Sequence, residues 1–184
     1  MMKLYVIYDY KEVYPHLSGK ELTDALIGRC LAREDVRITR DERGKPAVTF
    51  PEGSASAEGD FISVSHSEGT FALIVSDRNV GLDIQYARKT DPQKIARRFF
   101  SEEEVAYISD DGTGNRFFEL WTRKEAYSKY TGLGMEQIMK KDPVLSREDV
   151  MFTSFRLEDG CFCTVCAESR KGADQDEIQI SYGE

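Results

Sequence analysis

The sequence has no run of about 18 apolar residues, the length that a transmembrane helix needs. Its N-terminus, MMKLYVIYDYKEVYP, carries charges where a signal peptide needs an unbroken apolar segment. Basic residues are in the minority, because 25 Lys and Arg stand against 33 Asp and Glu, for a net charge of −8. These absences argue against a membrane protein, an exported protein and a general nucleic-acid binder, which needs a broad positive field. The sequence predicts a cytoplasmic protein that meets anionic ligands through local basic groups.

Two common catalytic motifs are also missing. The chain has no G-x-x-x-x-G-K-[ST] loop, which excludes ordinary P-loop nucleotide hydrolysis, and no G-x-S-x-G elbow. Ser65 and His66 are adjacent in a strand-like run, so their side chains point to opposite faces and a serine–histidine relay is disfavoured. A histidine at a strand end more often forms a hydrogen bond or stacks on a ring.

Cysteine is scarce, and its spacing is not that of a metal site. Cys30 stands alone, while Cys161, Cys163 and Cys166 cluster without a clear fourth ligand nearby. In an extended segment Cys161 and Cys163 share one face and Cys166 lies on the other, as in a buried strand. A structural role is therefore favoured over zinc binding.

The patterns that are present mix strands and helices. Capping residues predict helices that begin after Ser18, Asp91 and Ser101, and a longer helix covers about 115–130, with Gly132 at its end. A polar loop is expected over about 41–60, interrupted by a short strand at 47–50. Strand-like runs fall at 3–8, 61–65, 70–76 and 79–85, and in FTSFRL, CFCTVCAE and EIQISY near the C-terminus. Both helices and strands are therefore expected.

The central strands are separated by short turns, which predict an antiparallel meander. A meander returns its third strand to the end where the first one finishes. Ser65 and His66 would then lie at the same sheet edge as Asp83 and Gln85. In the third strand, Asp83 and Gln85 share one face, opposite the apolar residues beside them.

Asp83 and Glu125 are candidates for chemistry. A carboxylate in the apolar run VGLDI needs a partner, which could be an Arg, a backbone amide or a divalent cation. Trp121, Glu125 and Lys129 repeat every four residues and lie near one helix face, where a core Trp beside a surface Glu–Lys pair is the simpler explanation. Mg²⁺ prefers sparse carboxylate oxygens, which Asp83 and Glu125 could supply.

Read in order, these segments resemble the 4'-phosphopantetheinyl transferases, most closely the type that activates peptide synthetases and acyl carrier proteins. The resemblance runs from about residue 20 to residue 135 and rests on Gly44-Lys45-Pro46, Val64-Ser65-His66-Ser67, Gly81-Leu82-Asp83-Ile84, the segment RRFFS with Glu104, and Trp121-Thr122-Arg123-Lys124-Glu125-Ala126-Tyr127-Ser128-Lys129.

The resemblance implies a transferase that moves the phosphopantetheine arm of coenzyme A onto a serine of an acyl or peptidyl carrier protein and releases adenosine 3',5'-bisphosphate. By the same resemblance, Glu125 and Lys129 are catalytic, and Mg²⁺ or Mn²⁺ is held by Asp83, Glu125 and, where the family often has Glu, Gln85. The implied substrate contacts are Lys45, Ser65, His66 and Lys129.

The implied fold is α+β, with two similar αβ halves packed as an internal pseudo-dimer and the active site between them. The halves are expected at 1–88 and 89–184, so that Asp83 and Glu125 would meet across their interface. A chain of this kind would be a monomer.

Two other functions remain open. Gln85 and the short chain would suit a catalytically impaired module that binds coenzyme A or a carrier protein, and a metal-dependent phosphohydrolase acting on nucleotides is a separate alternative. The densest basic segment could dock an acidic carrier helix or could simply be a solvated helix face; it comprises Arg88, Lys89, Lys94, Arg97 and Arg98.

Overall fold

The computed structural model describes residues 1–33, 36–50, 61–139, 142–169 and 177–183. Within them the predicted polar loop is covered as far as residue 50, and its remainder lies outside the described residues. In chain order the elements are β1 (Met2–Ile7), α1 (Tyr10–Val13), α2 (Gly19–Leu31), β2 (Arg37–Arg40), β3 (Pro46–Thr49), β4 (Phe61–Ser67), β5 (Thr70–Ser76), β6 (Val80–Gln85), α3 (Pro92–Phe99), α4 (Glu102–Ser109), α5 (Asn115–Thr131), α6 (Met135–Ile138), β7 (Val150–Arg156), β8 (Phe162–Glu168) and β9 (Ile178–Gly183).

The chain divides into two compact units, the first formed by residues 1–80 with strand β9 and the second by Gly81–Ser169. This division differs from the expected one at residue 88, because most of β6 belongs with the segments that follow it. Asp83 and Glu125 therefore lie within one unit. The helices and sheets of both units agree with the predicted α+β class.

The first unit is built on a four-stranded sheet in the order β4-β5-β1-β9. Strand β1 runs antiparallel to β5 and parallel to β9, with Leu4 opposite Ile74 and Ile180. Helix α2 contributes Leu26 and Ile27 to a buried cluster that also contains Phe71. Strands β2 and β3 form a separate antiparallel hairpin.

The predicted meander is only half right. Strands β4 and β5 pair antiparallel, but the other edge of β5 is occupied by β1, which leaves no place there for β6. Strand β6 instead joins a second sheet in the order β6-β8-β7. The expectation that Ser65 and His66 share a sheet edge with Asp83 and Gln85 is therefore wrong.

The second unit packs helix α5 on its three-stranded sheet. Helix α5 contacts β8 and β7, and its buried side chains Phe117, Phe118 and Leu120 join a core cluster with Phe162. The helix ends at Gly132, which adopts a φ of 70°, as the sequence predicted. None of the helices in the described part of the chain combines the length and apolarity that membrane crossing needs.

Most of the predicted helix caps are confirmed. The Asp91 side chain accepts the Lys94 backbone N–H, and Ser101 with Glu104 forms a complete capping box at α4. Helix α2 begins after Ser18 as predicted, but the capping box expected there is wrong, because the Ser18 hydroxyl accepts no hydrogen bond from the backbone N–H groups of the helix.

Candidate active site

Asp83 and Lys129 form an ion pair between the second sheet and helix α5. The Lys129 Nζ lies 2.9 Å from Asp83 Oδ1 and also donates to the backbone oxygen of Leu82 at 2.9 Å. Asp83 is only 6% exposed, in a strand whose other residues are almost all buried. A carboxylate in this apolar strand was expected to need a partner, and in the structure that partner is the Lys129 ammonium.

A glycine sets the distance between strand and helix at this site. A Cβ atom at Gly81 would lie 1.9 Å from the Ala126 backbone oxygen and 2.6 Å from the Tyr130 backbone nitrogen. Such contacts are far inside van der Waals distance, so β6 approaches the backbone of α5 only because residue 81 has no side chain. This close approach is what brings Asp83 within reach of Lys129.

Glu125 completes the charged cluster. Burial raises the pKa of the Glu125 carboxyl, the nearby charge of Asp83 raises it further, and the Lys129 ammonium lowers it. The two carboxylates are therefore close enough to repel each other, with Lys129 as a compensating cation. The predicted face that carries Trp121, Glu125 and Lys129 is half-buried along its length.

The chemistry of this donor set fits a divalent cation. Two carboxylates that repel each other in a half-buried position gain from an added positive charge, and Mg²⁺ favours carboxylate and amide oxygens. Gln85 lies two residues beyond Asp83 on β6, and its Nε2 donates to the Tyr86 backbone oxygen at 3.1 Å. Among the described residues, no group of three or more His, Cys, Asp or Glu side chains could hold a metal ion, so a site here would depend on Asp83, Glu125 and the neutral Gln85.

The other predicted substrate contacts lie in the first unit. Lys45 follows the Asp41–Gly44 turn of the β2–β3 hairpin, and its Nζ is 3.4 Å from Asn79 Oδ1. Ser65 is buried on β4, while the exposed His66 places its ring 5.8 Å from that of Tyr10. Lys45, Ser65 and His66 thus belong to the first unit, whereas Asp83, Glu125 and Lys129 belong to the second.

A buried ion pair next to Glu125 was not predicted from the sequence. Lys124 and Glu104 are both 0% exposed, and Lys124 Nζ lies 2.9 Å from Glu104 Oε1. A signal was present, because Lys124 falls on the same helical stripe as Phe117, Leu120 and Tyr127, where an apolar residue would be expected.

The clustered cysteines behave as predicted for a buried strand. Cys161, Cys163 and Cys166 are free thiols with at most 1% exposure. Burial raises the pKa of the Cys163 thiol, with smaller contributions from Cys161 and Asp83. The Cys163 thiol therefore stays protonated and unreactive at neutral pH, and all three side chains fill the interior.

Similarity to known sequences identifies the family of this chain. The profile of the 4'-phosphopantetheinyl transferase superfamily matches residues 79–177, more than half of the chain. The matched region contains Asp83, Glu125 and Lys129. The chain therefore belongs to the 4'-phosphopantetheinyl transferase superfamily.

Individual relatives support the assignment. The transferase AcpT of Salmonella typhi is 36% identical over 70% of this chain and 76% of its own length. The transferase gsp of Aneurinibacillus migulanus is 32% identical over 68% of this chain and 51% of its own length. The transferase Sfp of Bacillus subtilis is 25% identical over 96% of this chain and 84% of its own length. The chain spans about half the length of some of these relatives, including gsp and HetI of Nostoc.

Proposed function

We propose that the protein transfers the 4'-phosphopantetheine arm of coenzyme A to a serine of an acyl or peptidyl carrier protein and releases adenosine 3',5'-bisphosphate. One observation carries the proposal: Asp83, Glu125 and Lys129 form one charged cluster inside the region that matches the transferase superfamily. In phosphoryl transfer, the protein mainly positions the reacting groups and neutralises the negative charge of the phosphates, and such a cluster can do both.

Each residue of the cluster has a distinct role in this proposal. Glu125, whose pKa is raised by burial, removes the proton from the carrier serine, directly or through a water that it orients. Lys129 places its ammonium beside the reacting phosphates and stabilises the charge on the leaving group. Asp83 holds Lys129 in position through their ion pair.

A divalent cation, Mg²⁺ or Mn²⁺, is proposed as the cofactor. Asp83 and Glu125 would hold it, with Gln85 as a neutral ligand or as a partner of a bound water. When bound, the cation supplies charge neutralisation at the pyrophosphate of coenzyme A. Because Gln85 brings no charge, we expect weaker cation binding than a site with three carboxylates would show.

Three residues of the first unit are proposed to contact the 3'-phosphoadenosine end of coenzyme A. Lys45 offers an ammonium for a phosphate, Ser65 a hydroxyl donor, and His66 a donor or a ring that stacks. This assignment is supported by the resemblance of their two motifs to those of the family. It predicts that a Lys45→Met substitution raises the KM for coenzyme A more than it lowers kcat.

The decisive experiment is intact-mass spectrometry of an apo carrier protein incubated with this protein, coenzyme A and Mg²⁺. The proposal expects a mass gain of one phosphopantetheine arm, abolished by a chelator or by Glu125→Ala. Carriers of the fatty-acid, polyketide and peptide-synthetase types should be tried in parallel. No gain on any of them would contradict the transferase proposal.

Gln85 favours one second candidate, a module that binds coenzyme A or a carrier protein without catalysis. Such a module would bind coenzyme A measurably by calorimetry and leave every carrier unmodified. The cluster of Asp83, Glu125 and Lys129 argues for the transferase, since binding alone does not require a raised-pKa carboxylate beside a lysine.

A further inference from the structure

Both side chains of the Glu104–Lys124 ion pair also form hydrogen bonds to backbone groups. The Lys124 Nζ donates to the backbone oxygens of Met139 at 2.7 Å and Asp142 at 3.3 Å, in addition to its contact with Glu104. Met139 directly follows α6. The ammonium therefore holds the backbone of Met139 and Asp142 against helix α5.

Glu104 anchors two further backbone groups. Its Oε2 accepts the Ser101 N–H at 3.0 Å, which closes the capping box of α4, and its Oε1 accepts the Val144 N–H at 2.9 Å. Both carboxylate oxygens are thus engaged. Through Lys124 and Glu104, the start of α4, the middle of α5 and the backbone of Met139, Asp142 and Val144 share one buried polar cluster.

Stability alone does not account for this arrangement. The free-energy cost of desolvation offsets much of the attraction in a fully buried ion pair. Well-packed apolar side chains of similar volume often stabilise a core as well or better. An apolar pair, however, lacks directional hydrogen bonds and lets a helix rotate or slide among similar packings. The ion pair fixes one orientation of α5, because Lys124 must point at Glu104 and at the Met139 carbonyl together.

That orientation bears on Glu125, the next residue of α5. Successive helical residues are turned by about 100°, so the direction of Lys124 determines the direction of Glu125. With Lys124 held in the core, Glu125 lies on the neighbouring face of α5, where its charge interacts with that of Asp83, while Gly81 sets how closely β6 approaches the same helix. We propose that Glu104 and Lys124 are positioning residues that orient Glu125 for transfer, an inference that rests on the proposed function.

The test replaces both charges by apolar side chains of similar size in the variant E104M/K124M. We expect it to fold, with kcat at least tenfold lower and with the KM for coenzyme A and for the carrier changed less than twofold. Trp121, the chain's single tryptophan, lies one turn before Glu125, and its ring centroid is 6.2 Å from that of Phe100. A shift of the Trp121 emission would therefore report a reoriented α5. A folded variant with wild-type kcat and an unchanged Trp121 emission overturns the proposal.

A milder variant decides the matter if the double variant does not fold. E104Q keeps the shape of the side chain and removes the charge that holds Lys124, and we expect kcat to fall severalfold at unchanged KM. Wild-type kcat in folded E104Q overturns the proposal. The matched control is E119Q/R123Q, which removes the partly exposed ion pair of the same helix and should leave kcat within twofold.

The two proposals fail in different ways. A wild-type protein that leaves every carrier unmodified refutes the transferase assignment. In that case the Trp121 emission and the Mn²⁺ affinity of E104M/K124M, compared with wild type and with E119Q/R123Q, still test whether the pair orients the cluster. Unchanged values for both would then overturn the positioning role by themselves.

Discussion

Glu125 keeps its carboxylate half-buried beside a second carboxylate, which disfavours its charged form in the folded protein. Its pKa is raised by burial and by Asp83, so the folded state binds this proton more tightly than the unfolded state does. Its contribution to stability is therefore greatest at low pH and is lost as the pH rises from the ordinary Glu value through the raised one. At neutral pH the ionised side chain destabilises the metal-free protein.

The first prediction concerns Glu125→Gln. At pH 7 in chelator, we expect the variant to be more stable than wild type, with the difference disappearing as the pH falls below about 4. If Glu125 is the general base, as proposed, transfer should fall by about 10²- to 10⁴-fold, the usual effect of losing such a group. Urea unfolding at several pH values checks the first part, and a variant less stable than wild type at pH 7 would contradict it.

A second residue-scale prediction concerns Gln85→Glu. The change adds a carboxylate on the strand face of Asp83, so the affinity for Mg²⁺ or Mn²⁺ should rise by roughly tenfold or more. Without metal the same charge should lower stability, because it adds to the repulsion around Glu125. Calorimetric titration with Mn²⁺ measures the affinity, with Gln93→Glu on helix α3 as a control for added charge.

The start of α5 is stabilised by Asp111 instead of by its N-cap residue, Gly114. Asp111 Oδ2 accepts the Arg116 backbone N–H at 2.7 Å, and Oδ1 accepts both the backbone N–H and the hydroxyl of Thr113. The Thr113 hydroxyl contact, followed by the two backbone donors, lowers the pKa of Asp111 to about 2. The first turn of the helix that carries Glu125 and Lys129 is thus capped by the Asp111 carboxylate, which stays ionised in mild acid.

Asp111→Ala should therefore lower the Tm by a few degrees, since loss of a capping acceptor destabilises a helix end. Because the folded-state pKa is depressed, the stabilisation is present above the ordinary Asp value near 4 and disappears as the pH falls through about 2. Thermal unfolding at pH 7 and pH 2.5 measures the change. A Tm difference as large at pH 2.5 as at pH 7 would contradict this account.

At the same scale, the contact of β6 with α5 depends on Gly81. Gly81→Ala forces a methyl group into the Ala126 backbone oxygen, so strand and helix must separate, with a loss of about 1–3 kcal/mol or more of folding free energy. The shift moves Asp83 away from Lys129, and transfer should fall further than the stability change explains. Gly112→Ala is the matched control, because a Cβ there meets open space. Equal activities of the two variants would disprove the role of Gly81.

Local pattern predicted the elements better than their partners. The caps at Asp91 and Ser101 and the end of α5 at Gly132 are encoded within a few residues, and the structure confirms them. The place of β6 depends on β1, which pairs with the edge of β5 where β6 was expected. Because β1 lies about 70 residues before β5 in the chain, this pairing leaves no local signal in the sequence. The Glu104–Lys124 pair is likewise a long-range contact, visible in the sequence only as a lysine on an apolar stripe.

For the whole molecule, the net charge of −8 would oppose association with the proposed carrier protein if that carrier is acidic. The basic segment around α3 offers local compensation, since Arg88, Lys89, Lys94, Arg97 and Arg98 are all exposed. Docking on this segment would place the carrier on the second unit, which also contains Glu125. Surface charges of this kind act mainly on the association rate and on its salt dependence.

The charge reversal K94E/R97E should therefore raise the KM for the carrier by roughly tenfold at low salt and leave kcat and the KM for coenzyme A unchanged. The effect should shrink as salt is added, because exposed charges are screened over about 8 Å at physiological ionic strength. The control K11E/R37E makes the same change of net charge at exposed sites of the first unit. If both variants raise the carrier KM equally, net charge alone is responsible and α3 is not the docking surface; if neither does, the carrier binds elsewhere.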